Sequence, residues 1–123
     1  MSDQSNPELV KFLEGKSSHC LELFNHFIAE YEKLGPISIH PAKTMIGIAG
    51  KNNRAAYVTQ FGKSFITIVF PFKKAYRENT CFEKLAQVPG VGQQYNHHLR
   101  MINPRDINDE VKSFMRMALE GEE

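Results

Sequence analysis

No excess of charge of one sign runs through this chain. Fifteen basic residues stand against fourteen acidic ones, a formal charge of +1 over 123 residues. That balance gives no long-range field for nucleic acid or an acidic membrane surface, so nucleic acid as a partner would need a local patch and is not supported by net charge. Cysteine is scarce. Cys20 and Cys81 lack the spacing of a metal knuckle or a redox pair, which excludes a disulfide framework as the source of stability. Cys20 lies among the apolar positions of a helical pattern and reads as a small buried hydrophobe. No apolar run reaches the roughly 20 residues of a membrane span, and the polar start MSDQSNPE is unlike a signal peptide. The expected protein is soluble, cytoplasmic and not membrane-bound.

Catalytic signatures are missing as well. Gly62-Lys63-Ser64 lacks the upstream glycine of a phosphate loop, and Gly90-x-Gly92 lacks a third glycine and a following helix. No serine sits in a nucleophile elbow. Acidic residues gather in the terminal helices; Glu78 and Glu83 are exceptions, and neither has a partner in sequence.

What is present is an apolar fraction of 41% and nine phenylalanines, enough to build one core in one domain over residues 1–123. Asn6-Pro7 opens a short helix over residues 8–14, presenting Leu9, Phe12 and Leu13. Ser17 or Ser18 caps a second, where Cys20, Phe24, Phe27, Tyr31 and Leu34 recur at three- and four-residue steps. Gly35-Pro36 stops it, glycine accepting the left-handed conformation and proline unable to continue.

From Ile37 the period changes. Residues 37–40, 44–49, 55–61, 64–70, 82–88 and 96–102 read as short strands joined by hairpin-like breaks at 50–53 and 62–63, and hence antiparallel. Pro71 is expected to end the most apolar strand. Residues 73–80 and 89–92 read as loops. Asp106 is expected to cap a last helix carrying Ile107, Val111, Phe114, Met115 and Ala118 on one side. The fold class is therefore α+β: an N-terminal helix, or two, a five- or six-stranded antiparallel sheet and a C-terminal helix, packed as a two-layer sandwich.

Two segments embed polar residues among β-formers. His40-Pro41-Ala42-Lys43-Thr44 places His40 and Lys43 beside a kink that proline stiffens. In Tyr95-Asn96-His97-His98-Leu99-Arg100, strand alternation puts His97 with Leu99 and Met101 and His98 with Arg100. Adjacent histidines on a strand diverge, so no transition metal and no cofactor are expected.

These same residues resemble a bacterial family, the domain of unknown function 5655. The likeness runs through Gly35-Pro36, His40-Pro41-x-Lys43-Thr44, the apolar Ile46-Gly47-Ile48, Tyr95-x-His97-His98-x-Arg100 and Pro104-x-Asp106-x-x-Asp109-Glu110, over about residues 20–120. Relatives look like stand-alone small proteins or modules attached to other domains, some of them nuclease-like. The resemblance implies the fold and the cluster, and no activity.

Three functions follow as expectations. The first is a binding module for a small anionic ligand, whether a phosphate-bearing molecule, an acidic peptide or a nucleic-acid backbone. Its site would comprise His40, Lys43, Thr44, Arg54, Tyr95, His97, His98 and Arg100. The second is a homodimer or interaction domain using a free sheet face with Tyr57, Phe61 and Phe65. The third is an enzyme with His40 or His98 as acid–base and Lys43 polarising an oxyanion. The shared site requires His40, Lys43 and one of His97 or His98 to converge.

Overall fold

The computed structural model describes residues 7–51, 53–76, 81–90 and 94–121. Asn6, Glu78 and Gly92, named above, lie outside them, as do residues 77–80 and 91–92 of the two expected loops. In chain order come α1 (Pro7–Leu13), α2 (Ser18–Leu34), β1 (Ser38–Pro41), β2 (Ile46–Ala49), β3 (Arg54–Phe61), β4 (Ile66–Phe72), β5 (Lys84–Gln87), β6 (Tyr95–Met101), a 3-10 turn (Pro104–Asp106) and α3 (Asp109–Glu120). The six strands form one antiparallel sheet in the order β1-β2-β3-β4-β6-β5. The chain is thus an α+β fold, with helices at both ends and a sheet between.

Helix α2 forms where its apolar period predicts. Cys20, Leu23, Phe24, Phe27, Ile28 and Tyr31 are all buried. Ser17 is its cap, accepting from the Cys20 amide at 3.1 Å while donating to the Lys63 carbonyl at 2.7 Å. One hydroxyl therefore fixes the helix start against the β3–β4 turn. The left-handed ending expected at Gly35 is corrected: its φ of 164° is extended. A side chain there would instead meet a Leu119 methyl of α3 at 3.0 Å, and that close approach is what favours glycine.

The cap expected at Asp106 is also corrected. Asp106 accepts from the amides of Ile102 and Asn103 at 2.7 and 3.0 Å, closing the 3-10 turn. Asn108 caps α3 by accepting from Val111 N–H at 2.9 Å, with Asp109 and Glu110 at the positive end of the helix. Asn108→Ala should cost about 1 kcal/mol, read as a lower urea midpoint with an unchanged slope. No change in midpoint would remove the cap from the stability of α3.

Strand β4 contributes Ile66, Ile68, Phe70 and Phe72 to the helix-bearing face. Pro71 does not end this strand. β3 pairs with β4 only as far as Tyr57 opposite Val69, so Pro71, which has no N–H to give, stands past the last β3 pair while still registered with Asn96 of β6. The Tyr31 hydroxyl donates to the Met115 carbonyl at 2.8 Å, joining α2 to α3. Glu30 binds Lys33 at 3.0 Å and Lys112 at 3.4 Å, which holds its carboxyl below the usual range.

Candidate functional site

Cross-strand register decides which polar residues share a surface. His40 stands opposite Gly47, Gly47 opposite Tyr57, Tyr57 opposite Val69, Val69 opposite His98 and His98 opposite Lys84. Directly opposed residues point the same way, and these alternate with Ile46, Ile48, Val58, Ile68 and Leu99 of the core. The row therefore crosses all six strands on the face away from the helices.

His40 and His98 share this face but are four strand spacings apart, roughly 19 Å at ~4.8 Å each. The expected convergence of His40 and Lys43 with His97 or His98 is not what the fold makes. Lys43 and Thr44 form the tip of the β1–β2 hairpin, closed by the Ala42 amide donating to the Met45 carbonyl at 2.8 Å. Thr44 is thus turn, not strand. Pro41 lies in β1, an edge strand, where a missing N–H is tolerated. His40 is exposed and bonded at 2.8 Å to the Ser38 hydroxyl.

His97 leaves the candidate set. It has no exposed surface, Nε2 accepts from Tyr76 N–H at 3.0 Å, and Nδ1 donates to the Tyr95 carbonyl at 2.9 Å. Rings of Phe82, Phe72 and Tyr76 surround it at 5.0, 5.2 and 5.4 Å. Tyr95 follows it, standing opposite Phe72 and Gln87 on the helix-bearing face. Phe61 likewise packs inward, 5.3 Å from Phe12 and 5.8 Å from Phe24. Phe65 lies beneath the Arg100 guanidinium at 4.7 Å. Among the described residues the large hydrophobic side chains left exposed are Val10 and Ile102, while Tyr57, Phe61 and Phe65 are half-buried.

Two residues from the expected cluster remain beside a hollow. It occupies about 420 Å³ and is lined by Met45, Tyr57, Thr59, Val69, Gln94, Asn96 and His98. Arg54 does not line it and borders instead a second hollow of about 360 Å³ with Asn53, Pro71 and Phe72; its guanidinium lies over Gly47 in the space a side chain would fill, 5.7 Å from the ring centre of Tyr57, which does line the first. Lys84 stands opposite His98. Neither Arg54 nor Lys84 has a carboxylate partner among the described residues, whereas Arg100 pairs with Glu83 at 3.4 Å. Lys84 and the hollow's Asn96 and Gln94 were not singled out from the sequence. Alternation along β6 already places Asn96 beside His98, but Lys84 needs the β5–β6 register.

His98 is half-buried, and its ring nitrogens meet no partner among the described residues. Burial first, then the charge of Lys84, lowers its pKa below 6.5, with Glu83 opposing and His97 adding to the effect. At neutral pH it is a neutral donor–acceptor, not a cation. Because the folded state releases this proton more readily than the unfolded chain, the unfolded chain binds more protons as pH falls through and below 6.5, and stability falls with it. The melting temperature should therefore drop between about pH 7.5 and about pH 5, and His98→Asn should flatten part of that drop. Superimposable wild-type and variant profiles would contradict the assignment.

The thiols offer no nucleophile. Burial raises the Cys20 pKa, and burial together with the Glu110 carboxylate pushes Cys81 up to about 11. Among the described residues no group of three His, Cys, Asp or Glu side chains is placed to hold a metal ion, and no helix is long and apolar enough to cross a membrane. No protein-family model, no curated protein and no solved structure matches the chain.

Proposed function

We propose that the protein is a non-catalytic binding module that takes a small anionic ligand on the open face of its sheet. The carrying observation is the hollow around Tyr57, Val69 and His98, with Arg54 beside Tyr57 and Lys84 opposite His98, neither cation having a carboxylate partner among the described residues. Its volume of about 420 Å³ falls in the range of small-molecule sites, roughly 300–1,000 Å³. Tyr57 and Val69 offer an apolar floor to the body of the ligand. Arg54 suits planar, bidentate recognition of a carboxylate or phosphate, and Lys84 supplies a point charge. Acid–base chemistry between His98 and Lys43 is disfavoured because three strands separate β1 and its turn from β6. The two free thiols fit a reducing compartment, and the cytoplasm is where we propose the module acts.

Phenyl phosphate, a planar body carrying an anion, is the simplest probe. Lys84→Ala should weaken its binding about twofold in a calorimetric titration, because Lys84 lies four strand spacings from Gly47, over which the Arg54 guanidinium sits, and acts on the anion through its field rather than by contact. The melting temperature should hardly move, because an exposed lysine with no carboxylate partner among the described residues contributes little to stability. Unchanged affinity in both this variant and Arg54→Ala would overturn the reading.

A further inference from the structure

The hydrogen-bonding wall of the hollow narrows the class of ligand. This step rests on the reading of the open face as an anion-binding surface. Gln94 and Asn96 both line the hollow, and Gln94 Nε2 donates to Asn96 Oδ1 at 3.3 Å. That bond consumes one donor of the glutamine and the carbonyl of the asparagine. It leaves Asn96 Nδ2 as a donor and Gln94 Oε1 as an acceptor, with no other partner among the described residues. A donor and an acceptor presented together match the paired acceptor and donor on the edge of a nucleobase, the arrangement by which Asn and Gln read bases. His98, next on this face of β6, is kept neutral by burial and by Lys84, so it adds a further donor–acceptor without a charge.

Across the hollow, the half-buried Tyr57 gives a ring on which a base can stack, with the Arg54 guanidinium beside it. We propose that the open face binds a mononucleotide, its base edge bonded to Asn96 and Gln94, its ring against Tyr57, and its phosphate held by Arg54. The hollow has room for one nucleotide, and the net charge of +1 gives no field to gather a strand, so the free mononucleotide is favoured over single-stranded nucleic acid.

Calorimetric titrations with nucleoside monophosphates, ribose 5-phosphate, phenyl phosphate and a single-stranded hexanucleotide test this. A nucleoside monophosphate should bind at least about tenfold tighter than phenyl phosphate or ribose 5-phosphate, since a paired base contact contributes about 1–3 kcal/mol. Asn96→Ala should remove that advantage, weakening the nucleoside monophosphate about tenfold more than it weakens phenyl phosphate. Retained phenyl phosphate binding with no preference for nucleotides, or a preference that survives Asn96→Ala, would overturn the nucleotide assignment alone. A hexanucleotide binding tenfold tighter than any monomer would overturn it in favour of a strand. Failure of every probe to bind would remove the anion-binding reading as well.

Discussion

Replacing His97 with alanine is expected to lower folding stability by about 4 kcal/mol. The side chain has no exposed surface and sits among the rings of Phe72, Tyr76 and Phe82. Alanine removes that packing and opens a cavity, a loss of about 2–5 kcal/mol for large side chains. It also strands two backbone groups that the imidazole now satisfies, the Tyr76 amide and the Tyr95 carbonyl. A buried donor left unpaired costs about 1–3 kcal/mol, and the two effects overlap because the cavity partly collapses. Chemical denaturation reads the result directly. His97→Phe separates the parts: it restores volume without the hydrogen bonds and should recover about half of the loss. A His97→Ala variant within about 1 kcal/mol of wild type would mean that this histidine does not order the segment around Tyr76.

The second large effect concerns Arg54 and depends on where its charge lies. Arg54→Ala should weaken phenyl phosphate binding by about 10–100-fold, since contacts to a charged group contribute about 1.5–3 kcal/mol. Gly47→Val should weaken it comparably by another route. A side chain at position 47 would occupy the space now filled by the Arg54 guanidinium, which is the far end of a flexible chain and moves more easily than the strand. Valine suits a strand, so stability should hold. The valine variant keeps the arginine and the net charge of the wild type. Equal losses in both variants show that position matters; a loss confined to Arg54→Ala would show that charge alone does.

Much of this architecture is readable from local pattern. The helical stripe from Cys20 to Leu34, the six short β-forming runs and the turns between them follow from periodicity and turn chemistry. Alternation in β6 puts His97 with Leu99 and Met101 and so assigns it to the core, while His98 takes the other face. The site was less legible, because its members meet through strand order. Nothing local says that β6 lies between β4 and β5, so the pairing of His98 with Lys84 cannot be read along the chain. The same order carries His40 to the far edge, although it lies on the same face. Arg54 comes to lie beside Tyr57 because Gly47 leaves room above the sheet, a consequence of the register between β2 and β3. Asp106 and Asn108 are both good caps by composition. Which of them starts α3 was settled by the short 3-10 turn that claims Asp106 first.

The most direct test of the open face as a binding surface is a map of backbone amide chemical shifts during titration with phenyl phosphate. The perturbed amides are expected to cluster at Tyr57, Val69, Asn96 and His98, with Lys84 and Arg54 at the margins and the helices silent. Perturbations gathered instead in the other hollow, of about 600 Å³, that Lys74, Ser113 and Arg116 line along α3, or none at saturating ligand, would contradict it.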